Sequence, residues 1–351
     1  MNSSPKDPPE HRPSLKSVAK LAGVAVATAS YALNNHPKIP ETTRRRVRKA
    51  AESLGYRTNA HVSRLMATLR SDRGDGSTLA WVNCSPARDT YIKIPWMRGW
   101  LSGARARADL LGYGLEEFWI REKGMTAERL LDVLRARGTA GIILAPTWAT
   151  QGIAPMDLSS FPAVSVAETF STPMLHQAAT NTFVNVILAL QEMSRLGYRK
   201  IGFYSSPMAR GWTERQHVGA FLEWQADKPE RLRSEPLLCD ENAAEAEDRY
   251  HGWLRHHRFD AILSTTSRHA KWIERMGLRV PEDLGIAHLN LAGDVAGWAG
   301  IDPLIPEVAA AAVDLLIGQI HRHETGAPAV PKVTTISGKW VPGRTLKNSL
   351  R

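Results

Sequence analysis

From Thr78 onward, short apolar runs alternate with stretches of helical periodicity, and no other feature narrows the possible folds as much. The runs fall at Leu79–Cys84, Gly141–Ala145, Ala163–Val166, Ile201–Tyr204, Ala261–Ser264 and Gly285–Leu289. Helical stretches lie between them near 96–111, 126–137, 183–196, 213–225, 243–257 and 268–276. Strands separated by helices predict parallel sheets covered by helices on both faces. Gly112 and Gly197 each follow a Leu and precede a Tyr, and Gly277 resembles them. Each is placed to end a helix before the next strand. Two such halves joined by crossovers leave a cleft at the carboxyl ends of their strands.

A chain of 351 residues predicts two or three units, and 43% hydrophobic residues suffice to fill their cores. Cys84 and Cys239 stand far apart, which supports neither a disulfide framework nor a cysteine zinc site. The first 13 residues are polar and proline-rich with no apolar core, so they read as a disordered lead rather than a signal peptide. No apolar run reaches the roughly 18 residues a membrane span needs. These features predict a soluble cytosolic protein. Enzyme chemistry finds little support. The first strand is followed by Cys84-Ser85-Pro86-Ala87, which lacks the glycines of a dinucleotide turn. No phosphate loop, H-E-x-x-H or G-x-S-x-G occurs. His256-His257 and His321-x-His323 point to different faces of their helices and read as solvated positions rather than metal ligands.

The charge is concentrated where the alternation has not yet begun. Residues 1–75 carry 14 Lys and Arg against 6 Asp and Glu, which places +8 of the total +10 there. A local excess favours a polyanionic partner, because phosphate neutralisation supplies much of nucleic-acid affinity. A solvated charged tail is the competing reading, and the pattern beneath the charges argues against it. Ser14 can cap a short helix carrying Val18, Ala19 and Leu21, which Gly23 breaks. A second helix runs from about Ala25 to Leu33, with Thr28, Ala29, Ala32 and Leu33 toward its inner side. Asn34-Asn35-His36-Pro37 stops it. A third spans about Glu41 to Leu54, with Val47, Ala50, Ala51 and Leu54 as its apolar stripe and Gly55 after its end. Arg44, Arg45, Arg46, Arg48 and Lys49 crowd its remaining surface. Three short helices with a glycine turn between the first two match a DNA-binding helix-turn-helix, and a small bundle without a binding role is the alternative.

The segment SLKSVAKLAGVAVATASYALNNHPKIPETTRRRVRKAAESLGYRTN resembles the headpiece of the LacI family of bacterial repressors. The shared anchors include Val18-Ala19, Ala22-Gly23-Val24, Thr28, Ser30, Ala32-Leu33-Asn34, Val47 and Leu54-Gly55-Tyr56. The resemblance implies that the second helix enters the major groove, with Val26, Ala27 and Tyr31 reading bases and Thr28 and Ser30 meeting phosphates. Ser14, Asn34, Arg44, Tyr56 and Asn59 complete the implied DNA-binding set. Two departures stand out. Ala25 replaces the usual capping Ser, a loss of about 1 kcal/mol. Val26 and Ala27 offer thymine methyls apolar contact but form no bidentate hydrogen bonds, so specificity leans on Tyr31, the linker and DNA shape.

Residues 58–67, TNAHVSRLMA, read either as a flexible connector or as a short helix capped by Asn59. The resemblance implies a hinge that folds only on DNA, with Leu65 wedged into the minor groove. Farther on, LGYRKIGF (196–203), DAILST (260–265) and GLRVPEDLGIAHLN (277–290) resemble the family's effector-binding core, which shares its fold with periplasmic sugar-binding proteins. By that likeness Asn290 stands where the family has an aspartate, and Arg215, or His217 on a shifted alignment, where it has an arginine. Thr265-Thr266 replaces an Asn-Asp pair, and Pro303 a Gln. Asn181 lies at a cleft-side position. Trp148 and Trp298 suit sugar stacking, although core packing is the commoner role of tryptophan.

The expected chain has an all-α headpiece at 14–57, a hinge and tether at 58–76, an α/β core at 77–344 and a tail at 345–351. The core is two doubly wound parallel-sheet subdomains of the periplasmic-binding-protein type, about 77–176 plus 305–325 and 177–304 plus 326–344. The resemblance implies a homodimeric repressor on a pseudo-palindromic operator, nucleoid-associated in the bacterial cytoplasm and modulated by a small molecule, most simply a carbohydrate. No catalytic residue, cofactor, metal or membrane partner is expected. A small-molecule-binding protein whose headpiece has lost specific DNA binding is the alternative.

Overall fold

The computed structural model describes residues 14–33, 39–56, 77–147, 156–167, 174–206, 212–293 and 295–347. At the N-terminus α1 (Leu15–Ala22), α2 (Val26–Leu33) and α3 (Glu41–Ser53) surround one small core. That core is Val18, Ala19, Ala22, Ala29, Ala32, Val47, Ala50 and Ala51. Six of the eight are alanine, so the three helices pack closely. Leu21, expected inside, is 57% exposed. The buried stripe of α1 runs through Val18, Ala19 and Ala22, and position 21 lies about 100° off Ala22.

The first sheet comprises β1 (Thr78–Asn83), β2 (Gly114–Trp119), β3 (Gly141–Leu144), β4 (Ala163–Val166), β5 (His176–Thr180) and β11 (Val333–Ile336). Their order is β11-β5-β4-β3-β1-β2, with every pairing parallel. The alternation of β1 sends Leu79 and Trp81 to one face and Ala80 and Val82 to the other. The first face is covered by α4 (Thr90–Lys93), α5 (Pro95–Leu110) and α11 (Ile305–Arg322), the second by α6 (Ala127–Ala136).

The second sheet holds β6 (Ile201–Ser205), β7 (Leu237–Leu238), β8 (Ala261–Ser264), β9 (Gly285–His288), β10 (Ala299–Asp302) and β12 (Lys339–Val341). The order is β12-β10-β9-β8-β6-β7, and only the edge strand β12 is antiparallel. One face packs on α7 (Thr182–Arg195) and α8 (Trp212–Gln225), the other on α9 (Ala246–His257) and α10 (His269–Arg275). The expected glycines end their helices with positive φ, 78° at Gly112, 97° at Gly197 and 75° at Gly277.

The chain passes between the sheets three times, from β5 to α7, from β10 to α11 and from β11 to β12. These crossings lie side by side. The Asn181 N–H donates to the Ile336 carbonyl (2.8 Å), and the Gly338 N–H donates to Oδ1 of buried Asn185 (2.7 Å). A Cβ on Gly338 would stand 2.5 Å from the Asp302 carbonyl oxygen.

Three expected boundaries fall elsewhere in the structure. The subdomains divide after residue 180 and after 336 rather than at 176/177 and 325/326. The reason is that β11 pairs with β5 from Val333↔Gln177 to Ile336↔Thr180 and completes the first sheet. The core also does not end at 344. Thr345 Oγ1 accepts from Ala299 N–H (2.9 Å) and donates to the Ile286 carbonyl (2.7 Å), closing β9 on β10. Leu346 is buried, and Lys347 N–H donates to the Tyr198 hydroxyl (2.8 Å).

Candidate nucleic-acid interface and effector cleft

The headpiece is built from local rules that leave one helix face open. Ser14 Oγ accepts from Ser17 N–H (3.2 Å), and Gly23 closes α1 in the left-handed region (φ 62°). The α2 helix turns Ala29 and Ala32 into the core, which leaves Val26 (44% exposed), Ala27 and Tyr31 (45% exposed) outward. Ala27 and Tyr31 are four residues apart, as are Val26 and Ser30, so these side chains share one face. Thr28 and Ser30 lie at its half-buried margins. Apart from Tyr31, no residue of α2 is ionisable. The exposed cations of the headpiece lie on the other two helices, Lys16 and Lys20 on α1 and Arg45, Arg46, Arg48 and Lys49 on α3.

Besides Ser14, two residues of the expected DNA-binding set serve the headpiece's own structure. Arg44 Nε donates to the Ile39 carbonyl (2.9 Å) and lies 3.5 Å from Glu41, fastening the turn that enters α3. Tyr56 is half-buried against the headpiece core, and its N–H donates to the Ala51 carbonyl (2.9 Å). Asn34, Asn59 and Leu65 lie outside the described residues, as does Trp148 in the core.

The expected effector residues have contacts that run to different neighbours. Asn181 caps α7, its Oδ1 accepting from Val184 N–H (3.4 Å). Asn290 Oδ1 accepts from Ala292 N–H (3.0 Å), while its own N–H donates to His288 Nδ1 (2.9 Å). Arg215 is exposed in the first turns of α8, whereas His217 is half-buried, 6.2 Å from Phe203 between ring centres. Trp298 sits edge-on to His269 (6.3 Å) and His288 (6.0 Å), against the side of the second sheet that α9 and α10 cover. Its packing there follows the commoner role of tryptophan, with a half-exposed edge remaining.

The carboxyl ends of the second sheet carry a polar network that single residues did not reveal. Ser205 and Thr265 hydroxyls lie 3.0 Å apart, and Thr266 Oγ1 donates to the Glu241 carboxylate. Glu241 N–H donates to Ser206 Oγ (2.9 Å), and Arg268 donates to the Glu241 carbonyl (3.1 Å). The signal was present as hydroxyl residues directly after predicted strand ends. In the first sheet buried Asn83 donates to Glu117 (2.8 Å), and Trp119 Nε1 and Arg121 Nε donate to the Ser85 (2.9 Å) and Cys84 (3.1 Å) carbonyls. A groove of about 430 Å³ lined by Glu241, Glu247, Arg268, Lys271, Trp272 and Arg275 lies beside α10, and it contains none of the expected effector residues. Among the described residues no His/Cys/Asp/Glu group suits a metal ion, and no helix is long and apolar enough to cross a membrane.

Comparison with known proteins matches these parts separately. The family model for bacterial regulatory proteins of the lacI family covers residues 14–59, and that for periplasmic binding protein-like domains covers 190–346. The HTH-type transcriptional regulator GalR of Escherichia coli (strain K12) is 51% identical over 51 residues, which are 14% of this chain and 15% of that protein. The match thus spans about a seventh of that relative's length, all of it similarity over one short segment. Among solved structures, the transcriptional regulator CelR–cellobiose complex superposes with a TM-score of 0.56 at 18% identity, covering 95% of this chain and 100% of that one. A lac repressor dimer bound to operator and the anti-inducer ONPF gives 0.53 at 18% identity, covering 95% and 98%. At such identities these likenesses show the fold.

Proposed function

We propose that this chain, which belongs to the LacI family of bacterial regulatory proteins, is a transcriptional repressor that binds a pseudo-palindromic operator as a dimer. The observation that carries this reading is the uncharged outward face of α2, formed by Val26, Ala27 and Tyr31, on a headpiece whose first two helices meet at the Gly23 turn. A helix of this kind fits the major groove, where Val26 and Ala27 meet thymine methyls and Tyr31 supplies a hydroxyl. Thr28 and Ser30 would meet phosphates, and Leu65 would wedge into the minor groove. Selecting from a random duplex pool tests this directly. A preferred palindrome, bound with steep salt dependence, is the expected result. A pool with no preferred sequence would instead leave a small-molecule-binding protein whose headpiece lacks specificity.

The proposed effector is a small carbohydrate between the carboxyl ends of the two sheets, a reading supported by the likeness to the CelR–cellobiose complex. Asn181, Arg215, Asn290, Trp298 and Trp148 are its proposed contacts. The effector would favour one arrangement of the subdomains about the three adjacent crossings, and by linkage would shift operator affinity. The protein would act in the bacterial cytoplasm without a cofactor, a metal or a catalytic step. A sugar panel read by thermal shift, repeated on Asn290→Ala, tests the cleft. A panel with no shift removes the carbohydrate reading while leaving the operator result intact.

A further inference from the structure

The α3 helix carries charge on the side that faces away from the headpiece core. Successive helix residues are about 100° apart, so Arg45 and Lys49 each lie about 20° from the point opposite buried Val47. Both are exposed, and neither has a hydrogen-bond or ion-pair partner among the described residues. Arg46 is likewise exposed at the edge of this face, and Glu41 and Glu52 flank it, about one turn before Arg45 and one turn after Lys49. Since α1, α2 and α3 close on one shared core, the outward faces of α2 and α3 leave the headpiece in different directions. A duplex seated on Val26, Ala27 and Tyr31 therefore does not cover Arg45 and Lys49. Among the described residues, Arg44 fastens the turn before α3 and Arg45 and Lys49 have no part in it.

We propose that the Arg45–Lys49 face binds the phosphate backbone of a second DNA duplex, so that one operator-bound headpiece can hold two DNA segments together. The two side chains sit one turn apart, about 6 Å along the axis. Each can neutralise one phosphate without reading bases, which makes this contact indifferent to sequence and sensitive to salt. The proposal rests on α2 being the groove-facing helix, and its test separates the two.

Full-length protein is held, in limiting amount, on an immobilised duplex bearing its selected site, and a labelled duplex of unrelated sequence is added. Capture of the second duplex is expected, weakening about twelvefold from 50 to 200 mM salt for two phosphate contacts per headpiece. Arg45→Gln with Lys49→Gln should lower the log–log salt slope for the second duplex by about 1.8 per headpiece and leave the first duplex's slope unchanged. Equal loss on both duplexes overturns the proposal, since the face would then belong to the first interface. Absence of capture, or an unaltered slope in the double variant, overturns it as well. Displacement of the second duplex by polyglutamate at a concentration where free duplex of matched charge leaves it bound would assign the face to an acidic protein instead. Failure to bind even the first duplex overturns the underlying reading of α2 together with this one.

Discussion

Two buried histidines make the second subdomain sensitive to acid. His269 is fully buried and His288 6% exposed, both packed around Trp298. His269 Nε2 has no hydrogen-bond partner among the described residues, and its Nδ1 lies 3.5 Å from Ser264 Oγ. Burial pushes His269 down to about 3, helped by the charge of His288, and pushes His288 down to about 4. The sign follows from proton uptake. Below pH 6.5 the unfolded chain binds protons that the folded state refuses, so stability falls as pH drops through 6.5 and levels off only near the folded values. From pH 7 to 5 the loss is about 2 kcal/mol for each histidine and about 4 kcal/mol for the pair. Urea unfolding followed by tryptophan fluorescence at both pH values measures it, because Trp272 and Trp298 lie in this cluster. In His269→Gln the pH-dependent loss should shrink by about 2 kcal/mol, whatever the variant's absolute stability. An identical loss in the variant and the parent would refute the assignment.

Three further outcomes are expected. Gly103→Ala places a Cβ 2.4 Å from Pro306 Cα where α5 crosses α11, and should cost about 1–3 kcal/mol, seen as a lower urea midpoint at unchanged slope. A neutral result would show that the two helices can separate. Arg44→Gln loses the bond to the Ile39 carbonyl and should destabilise the headpiece by about 1 kcal/mol while leaving the salt slope of operator binding unchanged. A slope reduced by about 0.9 would make Arg44 a phosphate contact instead. Leu65→Ala should weaken binding to the selected site and spare binding to unrelated DNA; equal loss on both in a gel-shift series argues against a wedge.

Much of this protein was already determined by its sequence, because the deciding signals are local. Ser14 and Gly23 bound α1, the stripe of Val47, Ala50 and Ala51 faces α3 inward, and Gly112, Gly197 and Gly277 end helices where only backbone freedom permits. Apolar runs such as 163–166 and 261–264 are strands buried on both sides, and they read as strands because no charged residue interrupts them. Other positions depended on partners distant in the chain. The strands β5 (HQAAT) and β11 (VTTI) carry weak patterns of their own; β5 is held between β4 and β11, and β11 pairs with β5. Thr345 and Leu346 looked like a tail until β9 and β10 needed a bridge between them. The same holds for the sites. Exposure of Val26, Ala27 and Tyr31 follows from helix phase alone and the turning of Arg44 onto Ile39 spans only five residues, whereas the packing of Trp298 against two histidines was decided by the tertiary fold. Local periodicity says which way a side chain leaves its helix; only the folded chain says what it meets there.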